Sequence, residues 1–363
     1  MSNWKTAQLS DFIQFKNGKK RPTGTGHIPV YGGNGILNYT DTANQENSVI
    51  IGRVGAYCGS VYYEPSQHWV SDNAISAVSK SNSDITYNYY LLKSLNLNQR
   101  HIGTSQPLLT QEILNSIAVE LPSLREQKEI GSTLRALDNK IANNAAINHH
   151  LEQIAQAIFK SWFVDFEPFG GVMPDDWREG TLSDICSYNS ERVYVADLTV
   201  DTYISTENMS TDKGGFVRAA SLPTLPQTTA FTFGDTLISN IRPYFKKIVY
   251  CGFIGGCSTD VLCFRPHKSN LSLYVYNALY NDSFFDYMVA GSKGTKMPRG
   301  DKQQIMNYHV TIPSNNVLDD FSNSVTTLIE KRLLLTQESD RLAALRDSLL
   351  PRLMSGELSV SDI

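Results

Sequence analysis

The chain repeats itself, and this limits its architecture more than any local feature. Trp4-Lys5-Thr6-Ala7-Gln8-Leu9-Ser10-Asp11-Phe12 reads against Trp177-Arg178-Glu179-Gly180-Thr181-Leu182-Ser183-Asp184-Ile185, 173 positions on. The stretch from Val49 to Tyr57 matches Thr236 to Tyr244 at an offset of 187, and Ser71-Asp72 matches Thr259-Asp260 at 188. Ile117 to Ser123 then matches Tyr308 to Ser314 at 191. Each match is weak alone. Four in the same order describe two copies of one unit, the second lengthened by loop insertions. A chain of 363 residues has room for both.

Each copy divides in two. The front part is rich in Gly, Tyr, Thr and Val, with β-type runs such as Ser48-Val49-Ile50-Ile51 and Lys247-Ile248-Val249-Tyr250 between Gly and Asn turns. This predicts a mixed globular domain with a substantial sheet. The back part opens at Leu121-Pro122-Ser123 and again at Ile312-Pro313-Ser314, where Pro enforces an extended approach and Ser is placed to cap a helix. No Pro or Gly interrupts 132–167 or 315–350. Apolar residues recur at alternating spacings of three and four: Leu134, Leu137, Ile141, Leu151, Ala155, Ile158 and Trp162 around polar Asn144 and Asn148. The second copy places Val325, Leu328, Leu335, Leu342, Leu349 and Leu353 in the same frame, with Arg332, Ser339 and Arg346 among them. A helix of about 40 residues at ~1.5 Å each is on the order of 60 Å long. That is too long to pack only on its own domain, so an antiparallel pair is expected, with Asn144, Asn148, Arg332 and Ser339 fixing its register. The expected fold class is mixed α/β: two similar globular domains, 1–122 and 171–312, separated by long antiparallel coiled-coil helices, 123–170 and 313–363, in a pseudo-twofold repeat.

Composition narrows the function. No apolar run approaches the ~20 residues that span a bilayer, and Met1-Ser2-Asn3-Trp4-Lys5 has no signal-peptide core, so a cytoplasmic protein is expected. Cys58, Cys186, Cys251, Cys257 and Cys263 form no Cys-x-x-Cys pair and are odd in number, which fits free thiols in a reducing compartment. The last three are spaced by six and would share one buried strand face. His149-His150 lies mid-helix without metal spacing. The chain has no Pro-Pro pair for a base-flipping amino-methyltransferase segment and no P-loop. Gly24-Thr25-Gly26 follows no clear strand, and Pro174-Asp175-Asp176 with Glu179 lacks the lysine of a nuclease site. A non-catalytic protein is expected, with no cofactor or metal of its own. The net charge of −4 weighs against a phosphate-binding surface, although a balanced total can still contain a basic face.

Three segments carry a family resemblance: Leu121-Pro122-Ser123-Leu124-Arg125-Glu126-Gln127; Trp162-Phe163-Val164-Asp165-Phe166; and Arg346-Asp347-Ser348-Leu349-Leu350-Pro351-Arg352-Leu353-Met354-Ser355-Gly356-Glu357-Leu358. Together with Ile28-Pro29-Val30-Tyr31-Gly32-Gly33-Asn34-Gly35, Ile50-Ile51-Gly52-Arg53 and Gly234-Asp235-Thr236-Leu237-Ile238-Ser239, they resemble the specificity subunits of Type I restriction–modification systems, in the order head, helix, head, helix. The resemblance implies that each head reads one half of a split site in double-stranded DNA. It implies that the helices space the heads and dock two methyltransferase subunits, which hold the S-adenosylmethionine. It also implies a place for two restriction subunits using ATP and Mg, and a role in phage defence.

Residues suited to nucleic acid can be chosen on chemistry alone, because base edges favour Arg, Lys, Asn and Gln, while phosphates accept from cations, hydroxyls and backbone N–H. In the first head these are Lys19, Lys20 and Arg21 beside a flexible Gly-Thr stretch, the Tyr31-Gly32-Gly33-Asn34 loop with Gly33 for close approach, and Arg53, Tyr57, Ser105 and Gln106. In the second they are Asn240, Arg242, Tyr244, Lys246 and Lys247 at one strand end, with Ser292, Lys293, Lys296 and Arg299 in a glycine-containing loop. The competing reading is a two-headed scaffold that binds proteins; binding to duplex DNA that strengthens as salt falls would count against it.

Overall fold

The computed structural model describes residues 4–103 and 106–363. Helix and strand are mixed throughout, and the chain forms two compact units. One contains Met1–Asn144 and Gln337–Ile363, the other Ala145–Thr336. The boundary passes through both long helices, so each unit consists of one globular head and a stretch of each helix.

The repeat is visible bond by bond. Lys5–Gln8 pairs antiparallel with Ala118–Leu121 in the first unit, and Arg178–Thr181 pairs with His309–Ile312 in the second. Leu9 N–H donates to Ile117 O at 2.9 Å where Leu182 N–H donates to Tyr308 O at 3.0 Å. Each head therefore closes on its own first strand just before its long helix departs. One detail of the sequence register is corrected. Arg53 N–H donates to Asn73 O, and Asn240 N–H to Asp260 O, so Asp260 corresponds to Asn73 and the offset stays at 187 there. Asp72 is one residue out because the turn is defined by backbone bonds, with Ala74 N–H on Ser71 O matching Val261 N–H on Ser258 O.

In the first head a six-stranded sheet runs in the order Ile13–Asn17, Ala74–Ser79, Gln45–Gly52, Val61–Val70, Ile28–Gly32, Gly35–Thr40. The second head divides the same plan into two four-stranded sheets. One orders Cys186–Tyr188, Val261–Pro266, Thr236–Ser239, Ile248–Tyr250; the other orders Arg192–Tyr194, Gln227–Phe231, Gly255–Cys257, Tyr203–Ile204. The cause is local. The first head carries a β-bulge at Asn47, a left-handed residue with φ 46°. The repeat position is Gly234, with φ 86°, where the strand breaks outright. The three cysteines spaced by six meet in the small core behind this break, with Phe231, Leu237 and Val249. Burial pushes the Cys257 thiol up to about 12, so it stays protonated.

The long helices span Leu124–Phe163 and Asn315–Met354, 40 residues each. The first starts eight residues before its glycine-free run. Ser123 and Glu126 form a capping box: Ser123 N–H donates to Glu126 Oε2 at 3.1 Å, and Glu126 N–H donates to Ser123 Oγ at 3.3 Å. Gln127 is buried and bridges Pro122 O to Asp84 N–H, fastening the helix start to the head. Position 131 in the helix is a glycine because a Cβ there would lie 2.8 Å from the backbone nitrogen of Tyr87. The second helix continues through Pro351, whose lack of an N–H withholds a single helical bond from the carbonyl four residues back.

Within each unit the two helices run antiparallel. In the first, Asn144 donates to Glu338 Oε2 at 2.8 Å and to Ser339 Oγ at 3.3 Å, while Asp138 pairs with Arg346 further along. In the second, Asn148 donates to Thr336 Oγ1 at 3.2 Å, and Glu152 pairs with Arg332. The expected seam is present, and the deepest face is rotated from it toward the head. Glu152, Phe159, Phe163 and Ile329 are buried, while Leu151, Ile158, Trp162 and Leu328, one position earlier, are only partly so. Leu137, Ile141 and Leu342 are also partly buried, whereas Leu134, Ala155, Val325, Leu335, Leu349 and Leu353 are buried. The helices therefore pair with each other, as their length predicts, and also pack on the heads.

Each unit also closes through a tyrosine, a carboxylate and an arginine. Tyr90 and Arg346 both bind Asp138 in the first, and Tyr276 and Arg332 both bind Glu152 in the second. The Trp162–Phe166 segment and the 346–358 segment do equivalent packing. Phe159 and Phe163 enter the core of the second unit, and Leu349, Leu353 and Met354 that of the first. Among the described residues no helix is long and apolar enough to cross a membrane.

Candidate nucleic-acid interface

At one end of each sheet the chain builds the same small surface. In the first head the strand Gln45–Gly52 runs into a 3-10 turn, Gly55–Tyr57, locked by Cys58 N–H on Gly55 O at 3.0 Å and Gly59 N–H on Gly52 O at 2.8 Å. Gly55 and Gly59 both have left-handed backbones, φ 72° and 86°. The turn pushes Tyr57 outward, 57% exposed. Beside it, Ile102 and Leu108 exchange both backbone bonds at 2.9 Å and Gly55 N–H donates to Pro107 O, which sets exposed Gln106 next to the turn. Ser105 lies outside the described residues.

The glycine loop joins this group. Ser60 Oγ donates to Gly33 O, and a Cβ on Gly33 would sit 3.5 Å from Tyr57 Cβ, so exposed Asn34 lies alongside. Lys19 pairs its backbone with Ser71, two residues from the Asn73 carbonyl that receives Arg53 N–H. Lys19, Lys20 and Arg21 are exposed, and among the described residues they form no ion pair. Arg53 is half-buried, and its Nε is buried without a hydrogen-bond partner.

Tyr31 is a correction. Strand alternation turns it inward with Ile50 and Val70, its hydroxyl donates to Glu64 Oε2 at 2.9 Å, and burial, then Glu64, hold that hydroxyl protonated. It supports the loop from within and offers nothing to a partner.

The second head repeats the construction. Strand Thr236–Ser239 leads into the turn Pro243–Phe245, with Phe245 N–H on Arg242 O at 2.9 Å. Tyr244 stands at the Tyr57 position, half exposed, its ring edge-on to Phe245 at 4.8 Å. Lys293 and Arg299 exchange backbone bonds at 2.9 Å, and Arg242 N–H donates to Pro298 O at 2.8 Å, so Lys293–Arg299 is the counterpart of the loop containing Gln106. Ser292 ends its helix by donating to Val289 O, and Lys296 is exposed at the loop tip.

Several cations here already have partners. Arg299 pairs with Asp260 at 2.9 Å, Lys293 with Asp301 at 2.5 Å, and Lys246 with Asp282 at 2.9 Å. Hydrogen bonds from Lys213 and then Lys246 hold the Asp282 carboxyl below its usual range. Lys247 donates to Thr206 O at 2.7 Å, and burial lowers its pKa. Asn240 is buried behind Gly300. Asn240, Lys246 and Lys247 are therefore corrections too: Asn240 is buried, Lys246 is held by Asp282, and Lys247 is held by Thr206 in a loop inserted in the second copy. Arg242, Tyr244, Lys293, Lys296 and Arg299 remain at the surface or half-exposed.

Sequence reasoning missed Gly55 and Gly59, which shape the first turn; a Gly-x-Tyr-x-Gly spacing was the available signal. It also missed the carboxylates Asp260 and Asp282, which sit far from their cations in sequence, and Asp301, eight residues from Lys293.

Residues 1–153 match the family model for the Type I restriction modification DNA specificity domain. Over 309 residues the chain is 27% identical to the Type I restriction enzyme MjaIX specificity subunit of Methanocaldococcus jannaschii, covering 76% of this chain and 70% of that one. It is 23% identical over 327 residues to the HindI specificity subunit of Haemophilus influenzae, covering 69% and 71%. In fold it is similar to a crystal structure of a Type I S subunit from M. genitalium, with a TM-score of 0.66 at 18% identity over 97% of this chain and 96% of that one. Residues 1–153 thus match the model of the Type I DNA specificity domain, and over about seven tenths of its length the chain is similar to Type I restriction enzyme specificity subunits.

Proposed function

We propose that this chain is the non-catalytic, sequence-reading subunit of a Type I restriction–modification complex in the cytoplasm. It binds a bipartite site in double-stranded DNA, with 1–122 and 171–312 as target-recognition domains and 123–170 and 313–363 as helical spacers. Its partners are two methyltransferase subunits, which bring S-adenosylmethionine to an adenine N6, and restriction subunits using ATP and Mg. The observation that carries this reading is the duplicated surface, one exposed tyrosine turn braced by one loop in each head, since two similar surfaces suit two half-sites. Unequal side chains on those turns make the half-sites differ in sequence. In the first head Lys19, Lys20 and Arg21 contact phosphates, and Asn34, Arg53, Tyr57 and Gln106 face base edges. In the second, Lys293, Lys296 and Arg299 serve the backbone, while Arg242 and Tyr244 face the groove.

The test is a genome-wide map of N6-methyladenine in cells making this chain with its methyltransferase subunit, against cells lacking the chain. A split motif that requires the chain is the expected result, and exchanging one head should change one half of it. Absence of chain-dependent methylation, with a methyltransferase active beside another specificity subunit, would overturn the proposal.

A further inference from the structure

The two surface turns share one backbone and differ at the two positions where that backbone is left-handed. In the first head both are glycine. In the second they are Arg242, φ 51° and ψ 64°, and Lys246, φ 48° and ψ 48°. A residue with a Cβ is strained in this region and glycine is not. The two positions also differ in steric demand. A Cβ on Gly59 would lie 2.2 Å from the backbone nitrogen of Asn98, so packing and φ both require glycine. A Cβ on Gly55 would meet nothing within 4 Å, so only φ favours glycine there. Position 242 is the counterpart of Gly55.

The strain at Lys246 is offset inside the head by its ion pair with Asp282 at 2.9 Å. Arg242 has no such offset. Among the described residues it forms no ion pair, and its Nε is buried without a hydrogen-bond partner. Its backbone is held from both sides, by Pro298 O on its N–H and by Phe245 N–H on its carbonyl. A second brace comes from an inserted loop, where Asp212 and Lys213 N–H donate to Phe245 O and Lys246 O at 2.9 Å. A strained, rigidly held cation with no partner in its own chain fits a task performed on something outside it.

We infer that Arg242 is the specificity-determining residue of the second head and that it reads a guanine, pairing its guanidinium with O6 and N7 in the major groove. The planar fork matches those two acceptors, and the braced turn fixes the backbone from which it reaches them. A phosphate contact carries no sequence preference, so the two roles part in the methylation motif. The first head has glycine at this position.

This inference rests on the sequence-reading function proposed above. The experiment compares N6-methyladenine maps of the full complex carrying wild-type chain, Arg242→Gly or Arg242→Lys, with thermal unfolding of the same complexes. Both variants should lose guanine preference at one position of the second half-site by about 10–100-fold, leaving every other position unchanged. Arg242→Gly should also raise Tm by about 2–4 °C, because it relieves the backbone. A motif unchanged in both variants would overturn the inference. So would a full motif in Arg242→Lys with methylation weakened at all sites in Arg242→Gly, the mark of a phosphate contact. A lower Tm for Arg242→Gly with an intact motif would mark a structural residue. If the wild-type chain directs no methylation, the parent proposal fails and this one with it.

Discussion

The two units fasten their heads to the helices with the same three kinds of residue, taken from different places in the repeat. In the first, Tyr90 donates to Asp138 Oδ2 at 2.5 Å and Arg346 to Asp138 Oδ1 at 2.6 Å, and the two charged side chains are each 18% exposed. In the second, Tyr276 donates to Glu152 Oε2 at 3.1 Å, Arg332 pairs with the same carboxylate, and Glu152 is nearly inaccessible. The repeat position of Asp138 is Ile329, and that of Arg332 is Ile141. The clamp therefore did not come with the duplication. A head helix lying against two antiparallel helices presents one tyrosine to both, and either helix can supply the carboxylate's charge partner nearby. The geometry recurs; the sequence behind it does not.

The largest expected difference lies in the packing beside the clamps. Phe163→Ala should cost the second unit about 3–5 kcal/mol, because the ring touches Trp177, Tyr274 and Phe321. Met354→Ala, at the repeat position in the first unit, should cost about 2–4 kcal/mol. Urea unfolding followed by hydrogen exchange in each unit reads both, and equal losses would dissolve the distinction between an aromatic and an aliphatic seat.

Next come the clamps themselves. Arg332→Met strands a buried carboxylate and should cost about 3 kcal/mol, most of it recovered by adding Glu152→Met. Arg346→Met should cost about 1–2 kcal/mol, since Asp138 can reach solvent. If the double variant recovers nothing, Arg332 acts through packing and not through its charge.

A smaller loss, on the order of 1 kcal/mol, is expected for Gly131→Ala. The gain in helix propensity only partly offsets the contact with the Tyr87 backbone. A stabilised variant would show that the head can move away from the helix there.

The smallest effect is pH-dependent. Burial works to raise the Asp138 carboxyl, but hydrogen bonds from Tyr90 and Arg346, with the Arg346 charge, outweigh it and hold it below its ordinary range. With its folded value depressed, the contribution of Asp138 is present above the unfolded value of about 3.9 and is lost as pH falls through the folded one. The first unit should weaken below about pH 4, and Asp138→Asn should flatten that slope. An unchanged slope would assign the acid sensitivity to other carboxylates.

The repeat, the helix starts and the seam were legible in the sequence because each rests on local chemistry or fixed spacing. Ser123 and Glu126 are three residues apart, and the apolar positions recur by three and four. What escaped depends on contacts distant in sequence. Glu152 reads as a solvated helix residue until Tyr276, 124 positions away, covers it. The displaced burial of Phe159 and Phe163 has the same origin, a third body on the helix pair. In the candidate interface the residue types were legible, and their availability was not. Lys246 looks free in sequence and is paired with Asp282, while Tyr31 looks like a loop residue and alternates into the core. The break at Gly234 was visible only as a glycine, since its counterpart Asn47 makes a bulge without ending its strand.

The composition of the units carries a consequence for how the molecule comes into being. The second is one continuous stretch, Ala145–Thr336, and everything it needs lies between those residues. The first combines Met1–Asn144 with Gln337–Ile363, and Leu349, Leu353 and Met354 complete its core. On a ribosome the segment that completes the first unit is therefore made after the whole of the second. Its contacts close a loop of nearly two hundred residues, the kind of long-range closure that slows folding.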